Sequence, residues 1–496
     1  MYYYAIVQPI IAGFFLLAAA SAALRKQPEI LLALGIASMG FGNFWVFALG
    51  TIWLPVKIVG LWTLFYVVTA SDAWAKNFKG TKRGIFMFLL LWIAIVFALA
   101  YALPVPDAVA NSEGTQGVSF RPLSQLMTYS AALSFVPLAF AASRKQGALI
   151  RIMNIYAIIV IVNCVVGLFQ YILLKLGMEF MPIYRASGGY TEFAAFSTGD
   201  TFVTRLYALA GEPKQLGMFL TPFVIMGITL SFEKRDYLPV WWNRRYIFAF
   251  AALIDIMTYS TAVLLALGLA AIFAVSWSLN GTIRMLAVVL TLTLLVGSLA
   301  ISPEKERSLS PDDGGGIVEM LYSRSIGRIE DEASERYESK ALRLITVEHP
   351  ENLLTGFGLG MYVYLVEGVF FGTGVEGIDS GWVTLLMDLG AVGLLLVLAA
   401  ASMAAVSALK AAQLARPRES LILRGLAGAL AGSCALHLGT NALVAMMIWL
   451  GVTLAANGFL HGAVAQRPIT LVNARRRPNG GAPGRRFTMP GKSGDY

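Results

Sequence analysis

Charged side chains are scarce in this chain, and their scarcity decides its class. Only 14% of the 496 residues are charged, whereas 57% are hydrophobic. Globular proteins carry about a quarter of charged residues, so this composition excludes an ordinary soluble domain. The apolar residues come in runs of roughly twenty, enough to cross a hydrocarbon core about 30 Å thick. The sequence therefore predicts an all-α fold class, a polytopic transmembrane helix bundle with one large external loop.

Other absences narrow the function. The chain has two cysteines, Cys164 and Cys434, and both lie inside apolar runs. Such cysteines indicate packing residues and not a disulfide or a metal site. The sequence contains no Walker motif and no soluble nucleotide-binding domain, which argues against ATP-driven transport.

The apolar runs predict about 12 to 14 spans. The first run carries no positive residue ahead of it, and Arg25 and Lys26 follow it, so we interpret it as a retained helix and not a signal peptide. The candidate spans fall near 4–24, 29–49, 51–70, 84–103, 123–142, 148–174, 207–231, 246–258, 261–279, 283–302, 380–404, 421–438 and 440–463.

Lysine and arginine alternate sharply between the connecting segments, and the positive-inside rule assigns the basic segments to the cytoplasm. The net charge of +9 is therefore a topology signal, and we expect no nucleic-acid partner. The basic residues are Arg25, Lys26, Lys76, Lys79, Lys82, Arg83, Arg144, Lys145, Arg151, Lys234, Arg235, Arg244, Arg245, Arg284, Lys410, Arg416, Arg418, Arg424, Arg475–Arg477, Arg485 and Arg486.

This alternation predicts four regions and an external N-terminus. They are transmembrane helices with short loops over 1–302, a large external loop over 303–378, further transmembrane helices over 379–465 and a basic cytoplasmic tail over 466–496. The tail is rich in Pro, Gly and Arg, which is typical of a disordered segment that contacts anionic lipids.

Polar residues near a membrane are costly, so they are the candidates for a site. Arg205, Glu212, Lys214 and Gln215 surround the start of one span, whose first turn tolerates Pro213 because it needs no amide donor. The alternative is a helix entry whose charges reach the lipid headgroups.

A second polar cluster interrupts two apolar runs. It is Thr258-Tyr-Ser-Thr, with Asp255 one turn earlier. Its hydroxyls either bind a substrate or satisfy the ends of a broken helix, and the sequence leaves both readings open.

A third cluster lies in the external loop. Arg336, Lys340 and Arg343 are spaced i, i+4, i+7, so they form one basic stripe on a helix. A neighbouring apolar stripe would dock this helix onto the bundle, and it consists of Tyr337, Ala341 and Leu344. Arginine suits a diphosphate because its planar donors bind phosphate oxygens in pairs. The alternative is a solvated helix with pairs such as Glu332–Arg336.

The loop ends in further candidates. His349 precedes the glycines Gly356, Gly358 and Gly360, which allow a close backbone approach to a ligand. Asp379 and Ser380 stand at the mouth of the next span. Asp379 either caps that helix or acts as a general base.

In order and context, these features resemble the O-antigen ligase and polymerase family, the Wzy- and WaaL-type membrane glycosyltransferases. The matching residues span roughly 200–400. They are Arg205 with Gly211-Glu212-Pro213, the Thr-Tyr-Ser-Thr break, the arginine-bearing helix before Leu-x-Gly-x-Gly-x-Gly, and Asp379-Ser380-Gly381 with Gly390 and Gly393 beyond.

The resemblance implies an enzyme of the bacterial inner membrane with a periplasmic N-terminus and a cytoplasmic C-terminus. Its donor would be an undecaprenyl-diphosphate-linked glycan, transferred with inversion to an acceptor sugar without a metal or other cofactor. Arg205, with Lys214 and the basic stripe, would hold the diphosphate. Asp379 would be the base, with Glu212 as a second catalytic carboxylate and His349 as a weaker substitute.

The resemblance favours its polymerase branch, because Asp379-Ser380 stands where the ligase branch usually shows His-Asn. The product would be O-antigen or another exopolysaccharide, and a chain-length regulator is a further candidate partner. A ligase that delivers the glycan to lipid A core or protein is the nearest alternative. A lipid-linked-sugar transporter is the alternative from another class.

Overall fold

The computed structural model confirms a predominantly helical chain. Two short hairpins accompany the helices. The described residues are 2–42, 44, 46–48, 51–71, 82–102, 121–143, 147–176, 178, 180, 195–198, 201–231, 241, 244–260, 262–268, 337–362, 365, 380–414, 417–439 and 441–465.

The elements follow one another along the described residues, and residues 262–268 are helical as well. They are α1 (Tyr2–Leu24), α2 (Pro28–Met39), β1 (Val46–Ala48), β2 (Thr51–Trp53), α3 (Pro55–Thr69), α4 (Lys82–Ala102), α5 (Arg121–Ala142), α6 (Ala148–Lys175), β3 (Ala195–Thr198), β4 (Thr201–Thr204), α7 (Pro213–Ser231), α8 (Arg245–Ile256), α9 (Tyr337–Arg343), α10 (Gly381–Leu414), α11 (Pro417–Leu436) and α12 (Leu443–Ala465).

Four of these helices are long and apolar enough to cross a membrane, namely α1, α5, α6 and α10. Shorter apolar helices lie beside them, including α2, α3 and parts of α4, α11 and α12. Helix α6 exposes Val165, Phe169 and Ile172 on one face, while Tyr156 and Val160 on the other are buried. A large exposed apolar stripe of this kind is typical of a surface that contacts lipid. These features indicate a membrane protein.

The predicted span over 29–49 was wrong. Helix α2 ends at Met39, and β1 pairs antiparallel with β2 in the register Val46↔Trp53. Gly40 and Gly42 stop the helix, since glycine weakens a helix interior. A side chain at Gly42 would clash with Gln215. Apolar residues continue through the hairpin, so hydrophobicity alone did not reveal the change.

The regular helices are interrupted at three places. The predicted break near Thr258 is confirmed, because α8 ends at Ile256 and helix resumes at residue 262. The predicted close pair of helices at Gly439 is confirmed between α11 and α12. Helix α10 bends sharply at Gly390, where φ is 67° and ψ is −174°.

An aromatic cluster joins α6, α7 and α12 in the core. The ring of Tyr156 lies 5.1 Å from that of Trp449 and 5.3 Å from that of Phe219. The Tyr156 hydroxyl also donates a hydrogen bond to the Phe219 carbonyl at 2.6 Å. This cluster holds α7 in place at Phe219, about two turns after the helix begins.

Candidate functional site

Residues 205–211 form a buried loop whose amides are satisfied by side chains of α6. The backbone N–H groups of Tyr207 and Ala208 donate to Gln170 Oε1 at 3.0 and 2.9 Å. The Leu209 N–H donates to Asn163 Oδ1 at 3.3 Å. Buried backbone groups need such partners where water is absent. Asn163 and Gln170 lie seven residues apart and therefore share one helix face.

Arg205 joins this loop to the break after α8. Its Nε donates to the Thr258 carbonyl at 3.0 Å, and the Leu206 N–H donates to the Met257 carbonyl at 3.1 Å. Carbonyls at a helix C-terminus lack intrahelical donors and carry partial negative charge, which suits a guanidinium. The structure thus brings the first two polar clusters of the sequence together.

The break itself is held in place by hydrogen bonds. The Thr258 hydroxyl donates to the Asp255 carbonyl at 2.7 Å and so caps α8. The Thr221 hydroxyl donates to Asp255 Oδ2 at 2.8 Å, and Asp255 is fully buried. Tyr259 and Ala208 have φ of 46° and 44°, in the left-handed region that side chains disfavour. Such strained residues concentrate at functional sites.

Helix α7 begins at Pro213, a residue that a first helical turn tolerates. Glu212 precedes it, and its carbonyl accepts the Leu216 N–H at 2.9 Å. Lys214 lies in the first turn and is partly buried. The predicted span began six residues too early because the buried loop before α7 is apolar without being helical.

The described part of the predicted loop 303–378 is a segment, residues 337–362, that docks onto α4 and α10. It consists of α9, a π-helical turn over Leu344–Glu348 and a 3₁₀ turn over Pro350–Leu353. Ala341 and Leu344 are buried, which confirms the predicted docking of these two residues. Arg336 and the side chain of Tyr337 lie outside the described residues.

The described members of the basic stripe are exposed. The Arg343 side chain is 74% exposed, and its Nε lies 3.2 Å from Glu348 Oε1. Lys340 is also exposed. Solvated pairs of this kind contribute little to stability, about 0–1 kcal/mol. The Arg343–Glu348 pair therefore contributes little to holding the segment in place.

His349 also lies at the surface. Its Nδ1 is 3.1 Å from Glu351 Oε1, and its ring meets the edge of Phe357 at 5.9 Å. The pKa of Glu351 is lowered, first by a hydrogen bond from its own backbone N–H and then by His349.

The three glycines of the segment bring its backbone against neighbouring helices. Gly356, Gly358 and Gly360 have φ of 75°, 88° and 69°. A Cβ at Gly356 would lie 2.6 Å from the Gly390 nitrogen, and one at Gly358 would lie 2.7 Å from the Ala102 Cβ. The glycines were predicted to allow a close approach to a ligand, and the structure shows a close approach to α10 and α4.

Asp388 was not among the predicted site residues. It is fully buried in α10, and its Oδ1 accepts the Gly360 N–H at 2.8 Å. Its Oδ2 accepts the Tyr129 hydroxyl at 2.9 Å. Ser380, Thr384 and Asp388 are all buried and lie four residues apart, so they form one polar face of α10. That spacing was the signal in the sequence.

His437 was missed as well, and it packs beneath the start of α10. Its carbonyl accepts the Gly381 N–H at 2.9 Å, and its Nδ1 accepts the Ala442 N–H at 3.0 Å. Its ring lies 4.8 Å from that of Trp382. Ser380 caps α10 by accepting the Val383 N–H at 3.4 Å, and Asp379 lies outside the described residues.

A chain of contacts gathers these parts at one end of the bundle. The Tyr101 hydroxyl at the end of α4 donates to Asn352 of the segment at 3.0 Å. Across the bundle, Gly439 packs on Ala262, just beyond the break that holds Arg205. The segment, the start of α10, the His437 turn and the Arg205 loop therefore share this end.

Comparison with known proteins adds no family, since no protein-family model matches the sequence and no curated protein matches it.

Proposed function

We propose that this chain is an inverting, metal-independent glycosyltransferase that polymerises undecaprenyl-diphosphate-linked repeat units. One observation carries the proposal, namely that Arg205 is anchored through Nε to the Thr258 carbonyl beside the start of α7. An arginine fixed at one nitrogen keeps its orientation, and planar guanidinium donors match the oxygens of a diphosphate.

The proposed topology follows from the charge pattern. About 12 to 14 spans would place residues 303–378 in the periplasm and both Arg205 and the segment on that side of the inner membrane. The gathering of these parts at one bundle end supports the arrangement. A lipid-linked donor would then meet the protein in the outer leaflet.

The proposed reaction is a single displacement. The acceptor hydroxyl attacks the anomeric carbon of the donor glycan, and the bond to the diphosphate oxygen breaks with inversion. Asp379 takes the hydroxyl proton as general base. Arg205 stabilises the negative charge that develops on the departing undecaprenyl diphosphate, and Lys214, Lys340 and Arg343 bind the diphosphate. Glu212 would hold the acceptor beside Arg205.

A ligase that delivers a finished glycan is the second candidate. His437 favours it, because the ligase branch of the family usually has a histidine ahead of the final helix. This histidine lies just ahead of α12, and its carbonyl contacts Gly381. A base must reach the acceptor hydroxyl. His437 is fully buried and its Nδ1 is already occupied by Ala442, so the polymerase remains our first choice.

Reconstitution separates the candidates. Purified protein in liposomes would receive undecaprenyl-diphosphate-linked repeat units, with and without a lipid A core acceptor. We expect a ladder of products without the acceptor. A single product that requires the acceptor would indicate the ligase. Movement of the lipid-linked glycan across the bilayer with no new glycosidic bond would indicate a transporter and contradict both.

A further inference from the structure

The carboxylate of Asp388 connects three separate parts of the chain. It belongs to α10, accepts one hydrogen bond from Tyr129 of α5 and accepts another from the backbone of Gly360 in the segment. Each of its two carboxyl oxygens therefore accepts a hydrogen bond from another part of the fold. Asp388 is fully buried, so water does not compete for these contacts.

The bend at Gly390 lets the backbone of residues 354–361, called the glycine loop, pair with the backbone of α10. The Phe357 N–H donates to the Met387 carbonyl at 2.7 Å, and the Val392 N–H donates to the Leu354 carbonyl at 3.4 Å. Backbone groups on both sides of the bend therefore pair with the segment. Together with the Asp388–Gly360 bond, these contacts fasten the segment to α10 one turn on either side of Gly390.

The glycine loop packs against α9, the helix that carries Lys340 and Arg343. Phe357 and Met361 pack in one cluster with Ala341, Leu344 and Ile345. Residues 340 and 343 flank Ala341 on α9 and project to solvent. A shift of the glycine loop would therefore move α9 as well, because close-packed clusters transmit displacement.

We propose that Asp388 is a positioning residue that, through Gly360, sets where Lys340 and Arg343 stand relative to a lipid-linked diphosphate. The identity of the ligand rests on the proposed function, whereas the fastening of the loop does not. Asp388 itself touches no substrate in this scheme. Its effect passes through the segment to the cations that bind the diphosphate.

The test compares Asp388→Ala with Asp388→Asn in the full-length protein. Two quantities are measured, namely hydrogen exchange of the amides at 356–361 and the Kd for undecaprenyl diphosphate in detergent. For Asp388→Ala we expect exchange to rise at least about tenfold and the Kd to rise about tenfold, which corresponds to the loss of one buried hydrogen bond. For Asp388→Asn we expect both to stay within about threefold, since its amide oxygen still accepts the Gly360 N–H.

Thr384→Val is the matched control. Thr384 lies one turn earlier on the same buried face, and its hydroxyl donates within α10 to the Ser380 carbonyl at 3.1 Å. Its loss should change neither quantity.

Tyr129→Phe is tested in place of Asp388→Ala if the latter fails to accumulate. It removes the second hydrogen bond of the carboxylate, so the exchange rate and the Kd should both rise, by a smaller factor.

Three results would overturn the inference. Unchanged exchange in Asp388→Ala, or in Tyr129→Phe where that variant takes its place, would contradict fastening of the loop through the Asp388 carboxylate. Faster exchange with an unchanged Kd would leave it a structural role only. An Asp388→Asn variant as defective as Asp388→Ala would point to the charge and not to the position. Wild-type protein that binds undecaprenyl diphosphate but forms no polymer would contradict the proposed reaction alone.

Discussion

Two stretches connect helices at the end of the bundle that carries the candidate site. They are residues 205–211 and the segment 337–362, and they are held in different ways. The first is sunk among helices, with its amides bound by Asn163 and Gln170. The second docks through its own small hydrophobic cluster and through glycines. The first fixes one arginine by a hydrogen bond, whereas the second presents exposed cations on a packed helix.

Within the proposed reaction, this difference predicts different tasks for the two stretches. A side chain bonded inside the bundle keeps one orientation, which suits a group that must meet developing charge. Exposed cations on a docked helix keep rotational freedom, which suits capture of a diphosphate that arrives by diffusion. We therefore expect Arg205 to act mainly on turnover and Arg343 mainly on binding.

Arg205→Ala should give the largest effect. We expect chain growth to slow about 100-fold or more, as for loss of one donor to a charged transition state. The measurement is product length from reconstituted protein at saturating donor. Arg244→Ala is the control, since Arg244 is exposed ahead of α8 and belongs to no proposed site. Normal product length in Arg205→Ala would remove the anchored arginine from the mechanism.

Gly356→Ala tests how the segment docks. Gly356 and Gly147 share φ of 75°, but only at Gly356 would a Cβ meet backbone atoms at 2.6–2.8 Å. Left-handed φ costs alanine about 1–2 kcal/mol at either position. The clash should add about 1–3 kcal/mol at Gly356 alone. We expect limited proteolysis to cut the segment faster in Gly356→Ala than in Gly147→Ala, and equal rates would contradict the docking.

Arg343→Ala sharpens the contrast in role. We expect the KM for the lipid-linked donor to rise about tenfold with turnover nearly unchanged, because this loss falls on ground-state binding. Glu348→Ala breaks the same 3.2 Å pair and keeps the cation, so it should retain the wild-type KM. If both variants lose affinity equally, the ion pair matters and not the cation.

His349→Gln should give the smallest effect. Exposed substitutions usually change stability by less than about 0.5 kcal/mol, so we expect activity within about twofold of wild type. The pKa of Glu351 is lowered first by its own backbone N–H and then by His349. These interactions stabilise the fold above the ordinary glutamate pKa, and the stabilisation is lost as pH falls through the lowered pKa. His349→Gln should therefore reduce the fall in melting temperature that accompanies a fall in pH below the ordinary glutamate pKa. A large loss of turnover instead would make His349 a catalytic candidate.

The sequence predicted the helical parts that depend on periodicity and helix-start chemistry. Spacing identified α9 and its buried Ala341 and Leu344, and Pro213 was compatible with the first turn of α7 although the predicted span began at residue 207. Hydrophobicity failed for residues 205–211, because a buried loop and a span are equally apolar. The loop reveals itself only through Asn163 and Gln170, whose partners lie about forty residues away along the chain.

The candidate site was predicted in parts and not as an assembly. Arg205 and Thr258 were both singled out, but their contact depends on how α7 and α8 pack. The glycines were expected to approach a ligand closely, and the structure shows their approach to α10. The spacing of Ser380, Thr384 and Asp388 indicated a polar helix face. It did not reveal the contacts of Asp388 and His437 with the backbone of Gly360 and Gly381, because backbone groups carry no signal in a sequence.

The order of partners along the chain bears on how the protein assembles during synthesis. Helix α6 leaves the ribosome before residues 205–211, so the acceptors of Asn163 and Gln170 precede the amides that they bind. The carbonyl that holds Arg205 comes about fifty residues later, at Thr258. We expect nascent chains that stop before residue 258 to leave Arg205 accessible to guanidine-modifying reagents and longer ones to protect it. Burial of this arginine would then report, during translation, that α8 has joined the bundle.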